Sequence, residues 1–154
     1  MKLLLALGNE MKTDDGIGIA LLEQVRDRLP GWTCLTLVQP GPELFCHWAT
    51  ATTVWVIDAL DAGWEPGQAG QMDLLQGVEA ARFASQAHGF GLAEALALAR
   101  ALGQLPPVLR LFGVQGQSFA PGWGLSRQIQ GLLPQLASDL LLAIQTHEPP
   151  TPRQ

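Results

Sequence analysis

Two adjacent acids near the N-terminus, Asp14 and Asp15, are the first residues whose type and position could do chemistry. They follow an apolar run that ends at Gly8-Asn9, and glycines at positions 16 and 18 come directly after them. The partial positive charge at the start of a helix stabilises carboxylates there. A simpler explanation is capping, in which Thr13 or Asp14 caps the helix and Asp15 complements its dipole. The two glycines favour a site, because they let the backbone or a ligand approach closely.

Two further candidates come later in the chain. Asp58 follows four apolar residues, 54–57, which predicts a half-buried carboxylate at the mouth of a sheet. Burial of a charge without a partner is costly, so such a carboxylate calls for an explanation. Its simpler role would be to cap a turn, together with Asp61. His88 lies in a loop expected to enter the next long helix, where a lone histidine is more often an exposed bystander.

Strand and helix patterns alternate along the chain and determine where these side chains lie. The apolar patterns predict strands over 2–7, 32–38, 52–57 and 108–114, a candidate extra strand over 71–75, and helices over 17–29, after Pro42, over 92–102 and over 125–144. Pro134 predicts a kink or a break in the last helix. Such alternation predicts an α/β fold with a mostly parallel sheet covered on both faces.

In a parallel α/β sheet the functional site lies at the carboxyl ends of the strands. Asp15, Asp58 and His88 are therefore expected to converge on one edge. Two carboxylates and one imidazole suit a borderline divalent cation such as Zn²⁺ or Ni²⁺. Three protein ligands leave coordination positions open, as in sites that act on a substrate. The competing pair Cys46-His47 does not suit a metal, since adjacent helical residues point about 100° apart; Cys46 is expected in the core and His47 on the surface.

Composition limits the classes of protein that need to be considered. The chain has 154 residues, 47% hydrophobic and 15% charged, with a net charge of −5. These values predict one globular domain over 1–145 and a disordered, proline-rich tail over 146–154. Neither a basic stripe for nucleic acid nor ~18 consecutive apolar residues for a membrane span is present. Two cysteines make no disulfide framework, so we expect a cytoplasmic protein. An acidic surface and the lack of an evident apolar patch predict a monomer by default.

The ordered set of motifs resembles the hydrogenase maturation proteases, nickel-dependent endopeptidases that process [NiFe]-hydrogenase large subunits. The matching segments run in family order over nearly the whole chain except the tail: Leu7-Gly8-Asn9, Thr13-Asp14-Asp15-Gly16-Ile17-Gly18, Ile57-Asp58-Ala59, Ser85 to His88, Gly113-Val114-Gln115 and Gly122-Trp123-Gly124-Leu125-Ser126. The resemblance implies a three-layer α/β/α sandwich. It also implies a substrate, the large-subunit precursor, from which a C-terminal extension is removed once nickel has been inserted.

In that family three positions contact the metal, and here they are Asp15, Asp58 and His88. The nickel is carried by the substrate, and no organic cofactor is implied. Water attacks the scissile carbonyl, activated either by the metal or by one of the carboxylates, Asp15 or Asp58, as in an aspartyl protease. The chain departs from the family after its second strand, where many members carry an acid and this sequence offers only Glu43. Gly116 also replaces a proline of many members.

Three alternatives come from other classes of protein. A phosphoacceptor signalling domain that binds Mg²⁺ would also combine acids near the first strand with an aspartate at the third. It would need a lysine after the late strand, but the lysines here are Lys2 and Lys12. A nucleotide enzyme would need a glycine-rich fingerprint, which the chain lacks because position 21 is leucine. A non-enzymatic scaffold for the hydrogenase precursor is the third alternative.

Overall fold

The computed structural model describes residues 1–38, 41, 43–76 and 92–148. The strands are β1 (Lys2–Leu7), β2 (Trp32–Leu37), β3 (Thr53–Leu60), β4 (Ala69–Asp73) and β5 (Val108–Gln115). The helices are α1 (Ile17–Val25), α2 (Glu43–Trp48), α3 (Leu92–Ala101) and α4 (Arg127–Thr146), with 3-10 turns on either side of α1 at Thr13–Gly16 and Arg26–Arg28. His88 and residues 149–154 lie outside the described residues.

The five strands formed by the described residues make one sheet, in the order β2-β1-β3-β5-β4. β1 pairs with both β2 and β3, and β3 pairs with β5, all in parallel. Only the edge strand β4 is antiparallel to its neighbour, β5. β1 and β3 are buried almost throughout, as expected of central strands in a sheet covered on both faces.

Side chains alternate between the two faces of the sheet and form a separate apolar core on each. On one face α1 and α4 cover the even-numbered residues of β1 and the odd-numbered ones of β3, Leu4 and Trp55 among them. On the other face α2 and α3 cover the opposite set, which includes Leu5 and Val56. The predicted fold, a three-layer α/β/α sandwich around a mostly parallel sheet, is confirmed.

Several predicted boundaries were wrong. β3 does not end at Ile57 but continues to Leu60, because residues 58–60 pair with residues 113–115 of β5. Asp58 therefore lies inside the strand and is fully buried rather than half-buried at its mouth. The extra strand exists but covers Ala69–Asp73. Cys46 is exposed, not part of the core.

The last helix is not broken at Pro134 and continues to Thr146. Residues 147 and 148, expected to belong to the disordered tail, make defined contacts with the sheet. The ring of His147 packs edge-on against Trp55, with 5.8 Å between centroids. Glu148 accepts a hydrogen bond from Lys2 Nζ at 2.9 Å. Within the described part of the chain, no helix has the length and apolar character needed to cross a membrane.

Candidate active site

Asp15 lies in the 3-10 turn that connects the end of β1 to α1. Its side chain is 1% exposed, and its Oδ2 accepts a hydrogen bond of 2.8 Å from the backbone N–H of Asn9. Gly8 allows the close approach, because a Cβ there would collide with the carbonyl oxygen of Asp15. The carboxylate is thus fixed over the carboxyl end of the first strand, where the sequence predicts it.

Asp58 comes from the neighbouring central strand at the same edge of the sheet. Its alternation with Val56 and Leu60 places the side chain on the face covered by α2 and α3. Oδ1 accepts a hydrogen bond of 2.8 Å from the backbone N–H of Ala59. Asp58 has no exposed surface in the structure, so its carboxylate is fully buried.

Gly18 brings the two carboxylate-bearing elements together. A Cβ at this position would lie 2.8 Å from the carbonyl oxygen of Leu7 and 2.8 Å from that of Ile57, the last residues before Gly8 and Asp58. Only a glycine lets the first turn of α1 rest directly on the ends of β1 and β3. The 3-10 turn with Asp15 accordingly contacts β3.

Asp14 has a role that the sequence did not reveal. Its fully buried carboxylate accepts hydrogen bonds from the backbone N–H groups of Gln117 at 2.8 Å and Ser118 at 3.1 Å. It also accepts bonds from both the N–H and the Oγ of Ser126, each 2.8 Å long. Neither Thr13 nor Asp14 caps its own helix. Asp14 instead anchors the loop that leads from β5 into α4.

A comparison with known sequences shows to which family this chain, with Asp15 and Asp58 at one edge of its sheet, belongs. The sequence model of the hydrogenase maturation proteases matches residues 38–143, more than half of the chain. The chain belongs to the hydrogenase maturation protease family. It is therefore a hydrolase, an endopeptidase, and the phosphoacceptor and nucleotide-enzyme alternatives are set aside.

Individual proteins of hydrogenase maturation or formation are similar over most of the chain. It is 29% identical over 148 residues to the hydrogenase 2 maturation protease of Escherichia coli K12, covering 92% of this chain and 89% of that protein. It is 30% identical over 120 residues to the hydrogenase expression/formation protein HupD of Bradyrhizobium diazoefficiens, covering 73% of this chain and 61% of that protein.

Solved structures share the fold. The hydrogenase maturating endopeptidase HybD from E. coli superimposes with a TM-score of 0.78 at 25% identity, covering 95% of this chain and 93% of that one. The [NiFe] hydrogenase maturation protease HycI from Thermococcus kodakarensis gives a TM-score of 0.71 at 21% identity, covering 94% and 92%. The three-layer sandwich is therefore common to this chain and to maturation proteases from a bacterium and an archaeon.

Gln115 is a second residue at this edge of the maturation protease whose role the sequence did not reveal, although its motif was recognised. It ends β5 and is 5% exposed. Its Oε1 accepts hydrogen bonds from the backbone N–H groups of Ala62 at 2.8 Å and Trp64 at 3.3 Å, and its Nε2 donates to the carbonyl of Gly116 at 2.9 Å. The amide thereby holds the turn that follows Asp58's strand.

Of the three predicted metal contacts, Asp15 and Asp58 lie at one edge of the sheet. His88 falls outside the described residues, so the complete trio stays a prediction. Among residues 1–38, 41, 43–76 and 92–148, no three His, Cys, Asp or Glu side chains form a group that could hold a metal ion. The two carboxylates can act as bases or contribute oxygen ligands to a cation brought from outside.

Proposed function

We propose that this maturation protease removes the C-terminal extension from the precursor of a [NiFe]-hydrogenase large subunit. The observation that carries the proposal is the pair of buried carboxylates, Asp15 and Asp58, at the carboxyl edge of a sheet with this family's fold. Buried carboxylates at the carboxyl ends of parallel strands are typical of functional sites in α/β folds. The E. coli relative, named a hydrogenase 2 maturation protease, supports the same class of substrate.

The nickel ion in this proposal belongs to the substrate. Asp15, Asp58 and His88 would bind the nickel that the precursor already holds, and so place the scissile peptide bond. The carboxylates supply oxygen ligands and the imidazole a nitrogen ligand, a set that suits a borderline cation. The inclusion of His88 rests on its place in the family's order of motifs, four residues before α3 begins at Leu92.

The bond-breaking step needs a water molecule, a base and an acid. The water oxygen adds to the scissile carbonyl carbon while the water proton passes to a carboxylate, Asp15 or Asp58. If the water were bound to the nickel, the metal would lower the pKa of the water, and the released proton would still pass to one of these carboxylates. The C–N bond then breaks, and the leaving amine takes up the proton. Both carboxylates lie out of contact with bulk water, which strengthens their interaction with a cation or a developing charge.

Incubation with a large-subunit precursor, with and without inserted nickel, followed by intact-mass spectrometry, tests the proposal. Loss of a C-terminal peptide from the nickel-loaded form alone supports both the activity and the recognition of nickel. Cleavage of both forms would support the processing activity and contradict the proposal that the enzyme recognises nickel. Failure to cleave any precursor from a panel of hydrogenase clients would overturn the proposed substrate.

Asp58→Asn separates chemistry from folding. We expect normal folding, because an asparagine Oδ1 can still accept the hydrogen bond from the N–H of Ala59. Processing should fall by at least about a hundredfold, the scale of a lost general base. The matched control is Asp61→Asn, an exposed aspartate at the same strand end, which should process normally. Full activity of Asp58→Asn in the mass assay, or its unfolding by circular dichroism, would count against the assigned role.

A further inference from the structure

A cleft of about 310 Å³ opens beside the candidate active site, between the first turns of α1 and the loop that leads into α4. We call it the Trp123 cleft. Its lining includes Glu10, Thr13, Gly16, Ala20, Trp123 and Leu125. Because Gly16 follows Asp15 directly, with about 3.8 Å between their Cα atoms, the cleft and the buried carboxylate share one turn of the chain.

Trp123 is the most exposed large apolar side chain among the described residues, with 74% of its surface accessible. It is nevertheless held on a well-anchored loop. The N–H of Thr13 donates to the carbonyl of Gly122 at 2.9 Å, and the N–H of Gly122 donates to that of Met11 at 2.8 Å. Exposed aromatic side chains on rigid supports are the usual anchors of protein interfaces. Met11 is 60% exposed and adds a second apolar side chain near Trp123, because its neighbour Lys12 forms a β-bridge with Gly122.

The charge of the cleft indicates which side chains its occupant would carry. Among the described residues that line it, Glu10 alone is ionisable, and its side chain is exposed. The whole chain carries a net charge of −5. A segment with a basic side chain opposite Glu10 would be attracted, whereas an acidic one would be repelled.

We propose that the Trp123 cleft binds an extended segment of the client polypeptide next to its cleavage point. An apolar side chain of that segment packs against Trp123 and Leu125, and a basic one faces Glu10. This inference rests on the proposed function, since the client is the precursor that the maturation protease cuts. The occupant is a stretch of the substrate rather than a second copy of this acidic chain, because two copies would repel each other.

Asp14 connects the cleft to the chemistry. It holds residues 117, 118 and 126 through its carboxylate, while the adjacent residue, Asp15, carries the candidate catalytic group. The loop with Trp123 and the turn with Asp15 are therefore fixed relative to each other. A client segment seated on Trp123 would therefore be held in a fixed position relative to the turn with Asp15.

Trp123→Ala tests the apolar contact, with steady-state processing of nickel-loaded precursor as the readout. We expect KM to rise about tenfold while kcat stays within about twofold, as when binding is lost equally from the ground state and the transition state. The matched control is Leu142→Ala, which shortens a 63% exposed side chain on α4, outside the cleft lining, and should change neither constant. An unchanged KM for Trp123→Ala in a folded variant would overturn the proposal.

Glu10→Lys tests the charge, with Glu10→Gln as the neutral comparison. KM should rise further for the lysine than for the glutamine, and the difference should shrink as salt is added. Equal KM values for the wild type, Glu10→Gln and Glu10→Lys would contradict the proposal that a basic side chain of the client faces Glu10. Direct binding of precursor, measured by calorimetry, separates this inference from the proposed function. If the precursor binds in a way that depends on Trp123 but is not cleaved, the proposed function is contradicted and the docking site is supported.

Discussion

The two adjacent acids of the N-terminal motif do different jobs at the scale of single residues. Asp15 points to the sheet edge and is held by the backbone of Asn9, whereas Asp14 points to the loop before α4. Four hydrogen bonds converge on Asp14, and one carboxylate has about four acceptor positions. Four donors therefore surround the Asp14 carboxylate, which gives Asp14 a structural role, whereas Asp15 is the candidate for contact with substrate.

Asp14→Asn should destabilise the protein strongly, in contrast to Asp58→Asn. An amide can present only one oxygen, so its NH₂ group must face at least one donor, for example the N–H of Ser126. Loss of charge-assisted bonds, together with a buried donor facing another donor, costs about 2–4 kcal/mol. Urea unfolding monitored by circular dichroism measures this difference.

The matched control for Asp14 is Ser126→Ala, which removes the hydroxyl bond and keeps the backbone bond. It should cost about 1 kcal/mol. Equal stability of Asp14→Asn and the wild type would show that the loop is held by other contacts, and the link between the Trp123 cleft and Asp15 would be lost.

The sequence identified the residues whose chemistry is visible locally. Asp15 was identifiable from its place at a helix start, directly before two closely spaced glycines, and Asp58 from the four apolar residues that precede it. The roles of Asp14 and Gln115 were hidden, because their partners are distant in sequence: Ser126 lies 112 residues from Asp14, and Ala62 lies 53 residues from Gln115. A pattern along the chain cannot report a hydrogen bond that depends on the assembled sheet.

At the scale of elements, the first turn of α1 determines where Asp15 lies. The helix rests on the carbonyl groups of Leu7 and Ile57 through Gly18, without an intervening side chain. Helix prediction captured the apolar face of α1 but not this backbone contact. The end of β3 was misplaced for a similar reason, because pairing with β5 extends the strand past Asp58. Periodicity reports burial, whereas strand length depends on the neighbouring strand.

At Pro134 the packing of the helix outweighs the local tendency of proline to break it, since α4 continues through this residue. Proline removes one backbone hydrogen bond, here the one that would reach the carbonyl of Gln130, and usually bends or breaks a helix. In α4 the proline lies on the exposed side, where water can satisfy the freed carbonyl. Ile129 and Leu133 before it, and Leu136 and Leu140 after it, are buried on one face, which holds the two halves of the helix together.

Gly18→Ala should move α1 away from the sheet. The new methyl group would meet two backbone oxygens at 2.8 Å, and neither can rotate away. Overpacking of this kind costs about 1–3 kcal/mol, and the shift of Asp15 should also lower kcat. Thermal unfolding and the processing assay measure the two effects.

Gly131→Ala is the matched control for that substitution. Gly131 lies on the exposed side of α4, and a Cβ there would meet nothing within 4 Å. Alanine should therefore stabilise the helix by about 0.5–1 kcal/mol without changing activity. A stable and fully active Gly18→Ala variant would mean that α1 can shift freely, and the backbone contact would not fix the position of Asp15.

At the scale of the whole molecule, the end of α4 closes the fold on the side opposite the active edge. Lys2, the first residue of β1, lies 5.7 Å from the ring centroid of Trp32 and bonds to Glu148. The ring of Trp55 on β3 contacts both His147, with 5.8 Å between centroids, and the guanidinium of Arg110, 5.5 Å from its centroid. Residues beyond the predicted end of the domain therefore connect the end of α4 to two strands, β1 and β3.

Two truncations measure how much this closure contributes. Removal of residues 149–154 should leave the melting temperature unchanged, since the prolines at 149, 150 and 152 oppose helix and strand formation. Removal of residues 147–154 deletes an edge-on ring contact, worth about 0.5–1.5 kcal/mol, and a partly exposed ion pair, worth about 0.2–1 kcal/mol. At about 2–4 °C per kcal/mol for a domain of this size, the melting temperature should fall by about 1–10 °C. Processing should persist below the lowered melting temperature, because the active edge lies at the other end of the strands.

Two outcomes would contradict these expectations. Equal melting temperatures for the two truncated proteins would place the domain end at Thr146. Loss of activity well below the melting temperature would show that the end of α4 also supports the site.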